Sequence, residues 1–139
     1  MTRGLFVCAM VFSEPAWAGM SLSVDAMTVD GLELRKFECE VEKGGFLASA
    51  EIAAAPAKQK PAFDACAPAG AAFQVAWTFT DGPATVVSVS QTTASHANKC
   101  IEQALFGARS TAHSTCAAVI LTGDATAARA AADTLPSVE

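Results

Sequence analysis

The chain has 139 residues, with 9 Lys and Arg against 14 Asp and Glu and a net charge of -5. Without a basic run or an aromatic stacking cluster, this acidity excludes nucleic acid and anionic lipid as partners and points to solubility instead. The length bounds the chain to one domain with one modest core, and the hydrophobic fraction of 52% owes much to alanine, so close packing of small residues around a few Phe, Trp, Val, Ile and Leu is expected.

The opening "MTRGLFVCAMVFSEPAWAGM" carries Arg3, an apolar run from Gly4 to Phe12, Pro15 and the small-x-small triplet Ala16-Trp17-Ala18. This is the pattern of a secretory signal peptide, residues 1–18, cut after Ala18. The run is much shorter than the roughly 20 residues needed to span a bilayer, so no retained anchor is expected. Cys8 lies inside it behind Phe6 and Val7, not the small residues of a lipoprotein site, and leaves with the peptide. Residues 19–30 are read as an N-terminal linker, 31–135 as a single domain and 136–139 as a flexible tail.

In "GLELRKFECEVEKGG", Phe37, Cys39 and Val41 alternate with Glu38, Glu40 and Glu42, the period of a half-buried strand with a solvated acidic face. Gly44-Gly45 marks a turn. "FLASAEIAA" alternates weakly and is read as either strand or helix. "PAKQKPAFDAC" is a short helix limited by Pro61, with Lys60 and Asp64 spaced i,i+4. "AAFQVAWTFT" sets Phe73, Val75, Trp77 and Phe79 in strict alternation, the clearest strand in the chain.

After Asp81-Gly82-Pro83, "ATVVSVSQ" puts Thr85, Val87 and Val89 in step. A three-residue loop is predicted, pairing Phe79 with Thr85 and Trp77 with Val87, because a two-residue loop would turn Val87 and Val89 to the wrong face. "SHANKCIEQALFGA" reads as a helix with Ser95 as N-cap and Gly107 near its end. Its stripe of Ala97, Cys100, Ile101, Ala104, Leu105 and Ala108 directs the Cys100 thiol toward the core. "RSTAHST" is read as a polar loop, "CAAVILTGD" as a buried strand, and "ATAARAAADTLP" as a helix with Ala128, Ala132 and Leu135 toward the body. The expected fold class is α+β, an antiparallel sheet with two or three helices packed mainly on one face and stapled by disulfides.

Processing leaves Cys39, Cys66, Cys100 and Cys116, an even count that in an exported chain reads as two disulfides with three possible connectivities. No CxxC occurs. Cys66 and Cys100 can meet if both helices lie on one sheet face, which leaves Cys39 and Cys116 to join neighbouring strands; each bridge is worth ~4 kcal/mol by loop-closure entropy. The alternative is a metal site of His96, Cys100, His113 and Cys116, since His96-x-x-x-Cys100 spans one helical turn and His113-x-x-Cys116 adds a second pair. It requires reduced thiols, which an oxidising compartment disfavours. Cys66 has no neighbouring base or electropositive setting for a nucleophile, and no hydrolase, dinucleotide, P-loop or zinc-protease motif occurs, so neither catalysis nor a cofactor is expected.

Over "FDACAPAGAAFQVAWTFTDGPATVVSVSQTTASHANKCIEQAL", and more broadly residues 57–122, the chain resembles the TonB C-terminal-like domains of exported myxobacterial proteins, including those associated with adventurous gliding. Cys66, Gly70, Asp81, Gly82, Cys100, Ile101, Ala104 and Leu105 carry the resemblance. It implies a bridge from Cys66 to Cys100, and a bacterial envelope domain whose sheet edge accepts a partner strand by β-augmentation. Ala67 stands where the family often has tyrosine, and Cys39 and Cys116 look like an additional bridge. The expected role is therefore a non-catalytic periplasmic or extracellular domain that binds or organises a protein partner, with Trp77 and Arg109 as candidate contacts. The other readings are the metal site and a small secreted protease inhibitor presenting "TDGPA" or "FGARSTAHST", with Arg109 as specificity residue.

Overall fold

The computed structural model describes residues 19–43 and 45–136; the expected signal peptide, Gly44 of the expected turn and residues 137–139 of the expected tail lie outside them. Among the described residues, five strands and four α-helices follow in the order β1 (Met20–Val29), β2 (Leu32–Lys43), α1 (Gly45–Ala57), α2 (Lys60–Cys66), β3 (Ala71–Pro83), β4 (Thr85–Thr92), α3 (Asn98–Phe106), β5 (Arg109–Thr122) and α4 (Ala125–Thr134). The strands form one sheet in the order β1-β2-β5-β3-β4, every neighbouring pair antiparallel. The α+β class is as expected.

Residues 19–30 are not a linker. They form edge strand β1 and its turn, held to β2 by nine register pairs from Met20–Val41 to Val29–Leu32. Asp30 and Gly31 make the turn with positive φ of 49° and 86°, the geometry that tight hairpins require.

One face of the sheet carries the core. Phe37, Cys39 and Val41 of β2 point into it as expected, and so do Leu32 and Leu34. The inward set changes from even to odd numbers because β2 bulges between Arg35 and Glu38 against β5, with Lys36 at φ 52°; an extra residue in one strand reverses its facing. Phe73, Val75, Trp77 and Phe79 of β3 and Ala118 and Ile120 of β5 complete the sheet side, and α1, α2 and α3 cover it with Ile52, Phe63, Ile101 and Leu105. Residues 46–55, open between strand and helix by alternation, belong to α1.

Helix α4 packs on the opposite face, where Ala128 meets Ala72, Val119 and Leu121. Arg129 donates to Glu33 at 2.9 Å and Arg35 to Asp133 at 2.8 Å across that contact; these are exposed pairs, which position the helix more than they stabilise it. Only part of this face is covered, and the rest lies open over β1, β2 and β5.

Three local expectations are corrected. The β3–β4 hairpin does not close through three residues: β3 runs on to Pro83 along β5, and Thr78 pairs with Thr85. The predicted register survives at Val75–Val89 and Ala76–Ser88, but bulges displace it on both sides, with Val86 at φ 50°. Ser95 does not cap a helix; it begins a 3-10 turn, and α3 starts at Asn98 without a side-chain cap. "RSTAHST" is not a loop but the first half of β5, in which Ser110, Ala112 and Ser114 face inward. Alternation of small residues with polar ones there is a strand period that composition disguises.

Candidate binding edge

The four thiols are joined as Cys39–Cys116 and Cys66–Cys100. Cys39 and Cys116 are direct cross-strand partners of β2 and β5 with Cα atoms 4.1 Å apart, both buried. Cys66 and Cys100 link α2 to α3 across 5.7 Å. Contrary to the expectation from its helical stripe, Cys100 is exposed and Cys66 half-buried; the bridge lies on the surface side of the helix pair, while Ala97, Ile101, Leu105 and Ala108 take the core positions. Two disulfides are the mark of a domain that folds in an oxidising environment. They also overturn the metal alternative, because Cys100 and Cys116 are each bonded elsewhere and their sulfurs are not thiolates. Among the described residues no group of three His, Cys, Asp or Glu side chains is placed to hold a metal.

The other sequence candidates are separated by the fold. Trp77 is fully buried, opposite Cys116 across β3 and β5, so it packs the core beside the buried bridge and offers no surface contact. Arg109 is exposed at the start of β5, opposite Pro83. It lines a small depression of about 160 Å³ with Glu51 and Asp81, whose shape is set by Glu51 accepting the Thr111 amide at 3.0 Å and its hydroxyl at 2.9 Å. His96 is exposed in the 3-10 turn and His113 half-buried in β5. "TDGPA" and "FGARSTAHST" are mostly strand and so do not present the projecting loop that a protease inhibitor needs.

An opening that the sequence did not point to lies along β1. Leu22, Val24, Met27 and Val29 line one wall of a groove of about 630 Å³, with Phe37 behind them and Ser49, Ala50 and Ala53 of α1 opposite. On the α1 side the described lining is small, Ser49, Ala50 and Ala53, which leaves space over the apolar row of β1. Val24 is 39% exposed in consequence.

Among the described residues no strand pairs with the outer edge of β1, a terminal strand of the sheet. Edge strands are ordinarily blunted by Lys, Pro, bulges or short length. β1 spans ten residues, "MSLSVDAMTV", with Asp25 its sole charge, and its pairing to β2 contains no register shift. The opposite edge, β4, is shorter and interrupted by two register shifts.

On the other side of the β1 edge, the open sheet face holds a second depression of about 450 Å³. Ser21, Ser23, Ala76, Thr115 and Ala117 line it, and its charged members are Glu38 and Glu40. Ser21 donates to the Glu40 carboxylate at 2.7 Å. No protein-family model matches this chain, nor does any curated protein or solved structure match it significantly. Among the described residues no helix is long and apolar enough to cross a membrane.

Proposed function

We propose that this protein is an exported, non-catalytic binding domain, periplasmic or extracellular, that accepts an extended segment of a partner protein as an added strand along β1. The observation that carries the reading is the juxtaposition of a long, almost uncharged terminal strand, whose outer side no described strand pairs with, and an apolar groove beside it. Main-chain hydrogen bonds supply affinity in such an arrangement, and alternate side chains in the flanking pocket supply specificity. The resemblance to TonB C-terminal-like domains is compatible with strand acceptance, although TonB's role in force transmission is not carried over. Catalysis is disfavoured because every described cysteine is bridged and the groove walls are apolar and hydroxyl-bearing, without a general base.

The test is a random-peptide display selection on the disulfide-bonded protein, followed by hydrogen exchange on the best binders. New amide protection is expected in residues 20–29 and not in 85–92. Protection confined to β4, or binders whose affinity survives Val24→Arg, would overturn the assignment.

A further inference from the structure

Resting on the β1 reading, the geometry points to the chemistry of the partner: an extended segment in which apolar residues alternate with Lys or Arg. A strand added to β1 must send successive side chains to opposite faces of the sheet. On one face they enter the groove lined by Leu22, Val24, Met27 and Ala53. On the other they lie over the depression bordered by Glu38 and Glu40.

The register makes that second contact direct. Ser21 stands opposite Glu40 and Ser23 opposite Glu38, so only small hydroxyl side chains intervene between an incoming strand and the acidic row. An added strand would run about 10 Å from β2, two inter-strand spacings, within the combined reach of a Lys or Arg side chain and a glutamate. Glu42, exposed on the same strand face, extends the row. Among the described side chains of β2, Arg35 is paired with Asp133 and Glu33, and Lys36 is exposed at the bulge beside α4.

Charge also argues against a second copy of this chain as the occupant. Antiparallel pairing of β1 with itself about its centre would bring two Asp25 carboxylates together near the dyad, and like charges across a sheet are destabilising. A basic alternating segment turns this repulsion into attraction.

Four peptides about as long as β1 test the inference on the full disulfide-bonded protein by fluorescence anisotropy at low and physiological salt. Three alternate Val or Leu with Lys, with Ser or with Glu; the fourth has the composition of the Lys peptide in blocked order. The alternating Lys peptide is expected to bind about ten-fold tighter than the Ser peptide, the advantage shrinking with salt, and the Glu peptide more weakly than either. Glu38→Gln with Glu40→Gln should draw the Lys peptide down to the Ser peptide's affinity, with circular dichroism confirming the fold. Equal binding of the Lys and Ser peptides would overturn the charge inference alone and leave the edge reading standing. Equal binding of the blocked and alternating Lys peptides would also overturn it, by showing attraction without strand register. Binding by none of the peptides, or a dimer by sedimentation that Val24→Arg dissociates, would overturn the inference and the choice of occupant together.

Discussion

At Gly123 the chain turns from β5 into α4 with φ of +74°, and a Cβ there would lie 2.1 Å from the Ala67 carbonyl oxygen and 2.8 Å from the Gly70 nitrogen. The turn is pressed against the one joining α2 to β3: Asp124 donates its amide to Pro68 O at 3.1 Å, and Gly123 donates to the Asp64 carboxylate at 2.9 Å. Asp64 also pairs with Lys60, as its i,i+4 spacing indicates. Neither backbone segment can retreat without breaking these bonds. Gly123→Ala is therefore expected to cost about 3 kcal/mol or more, combining left-handed strain with overpacking, and urea unfolding measures it; a loss below about 1 kcal/mol would show that the two turns are not locked together. Residue roles of this kind were only half legible. "LTGD" announces a turn, but which carbonyl closes over the glycine depends on contacts between residues about fifty positions apart in the chain. Alternation with Phe73, Val75 and Phe79 already placed Trp77 in the core row, which counts against its reading as a contact, and Cys100 was misplaced because a helical stripe predicts a direction and not which member of its margin reaches solvent.

Elements were legible where their period was unbroken and hidden where it was interrupted. β3 and the second half of β2 were evident; β1 was not, although Met20, Leu22 and Val24 alternate, because the inward set resumes out of phase at Met27 and Val29. The first half of β5 was obscured by its Ser, Thr and His, of which only Ser110 and Ser114 are buried, the Ser110 hydroxyl accepting the Ala112 amide while exposed Thr111 is held by Glu51. The two disulfides differ at this scale. The α2–α3 bridge presents an exposed Cys100 and a half-buried Cys66, while the β2–β5 bridge is sealed beneath the helices. Since exchange requires access of a thiolate or phosphine to sulfur, mild reduction of the native protein should open Cys66–Cys100 first. Timed alkylation and peptide mapping should find label on Cys66 and Cys100 well before Cys39 and Cys116. Simultaneous labelling of all four would mean that the protein unfolds before either bridge is attacked.

The two bridges are nested in the chain, one closing 34 residues inside another closing 77, and they join different parts of the molecule. Cys39–Cys116 ties the second strand of the sheet to the third, and Cys39 also stands opposite Leu22 of β1. Cys66–Cys100 ties helix α2, whose Lys60 lies beside the β1–β2 turn at Gly31, to helix α3. By loop-closure entropy the outer bridge is worth about 4.5 kcal/mol and the inner about 3.8 kcal/mol. Loss of buried packing widens that gap, because only the outer pair of sulfurs fills core space. Cys39→Ala with Cys116→Ala is accordingly expected to destabilise the protein more than Cys66→Ala with Cys100→Ala, by at least about 1 kcal/mol in equilibrium urea unfolding. The location matters beyond the total. Loosening β2 against β5 frees the platform on which β1 and its groove rest, so the outer-bridge variant should also lose hydrogen-exchange protection in residues 20–29. The inner-bridge variant should retain it while α2 and α3 exchange faster. If removing the inner bridge instead exposed β1, the edge and the helix pair would be one cooperative unit, and the surface bridge would control the binding edge.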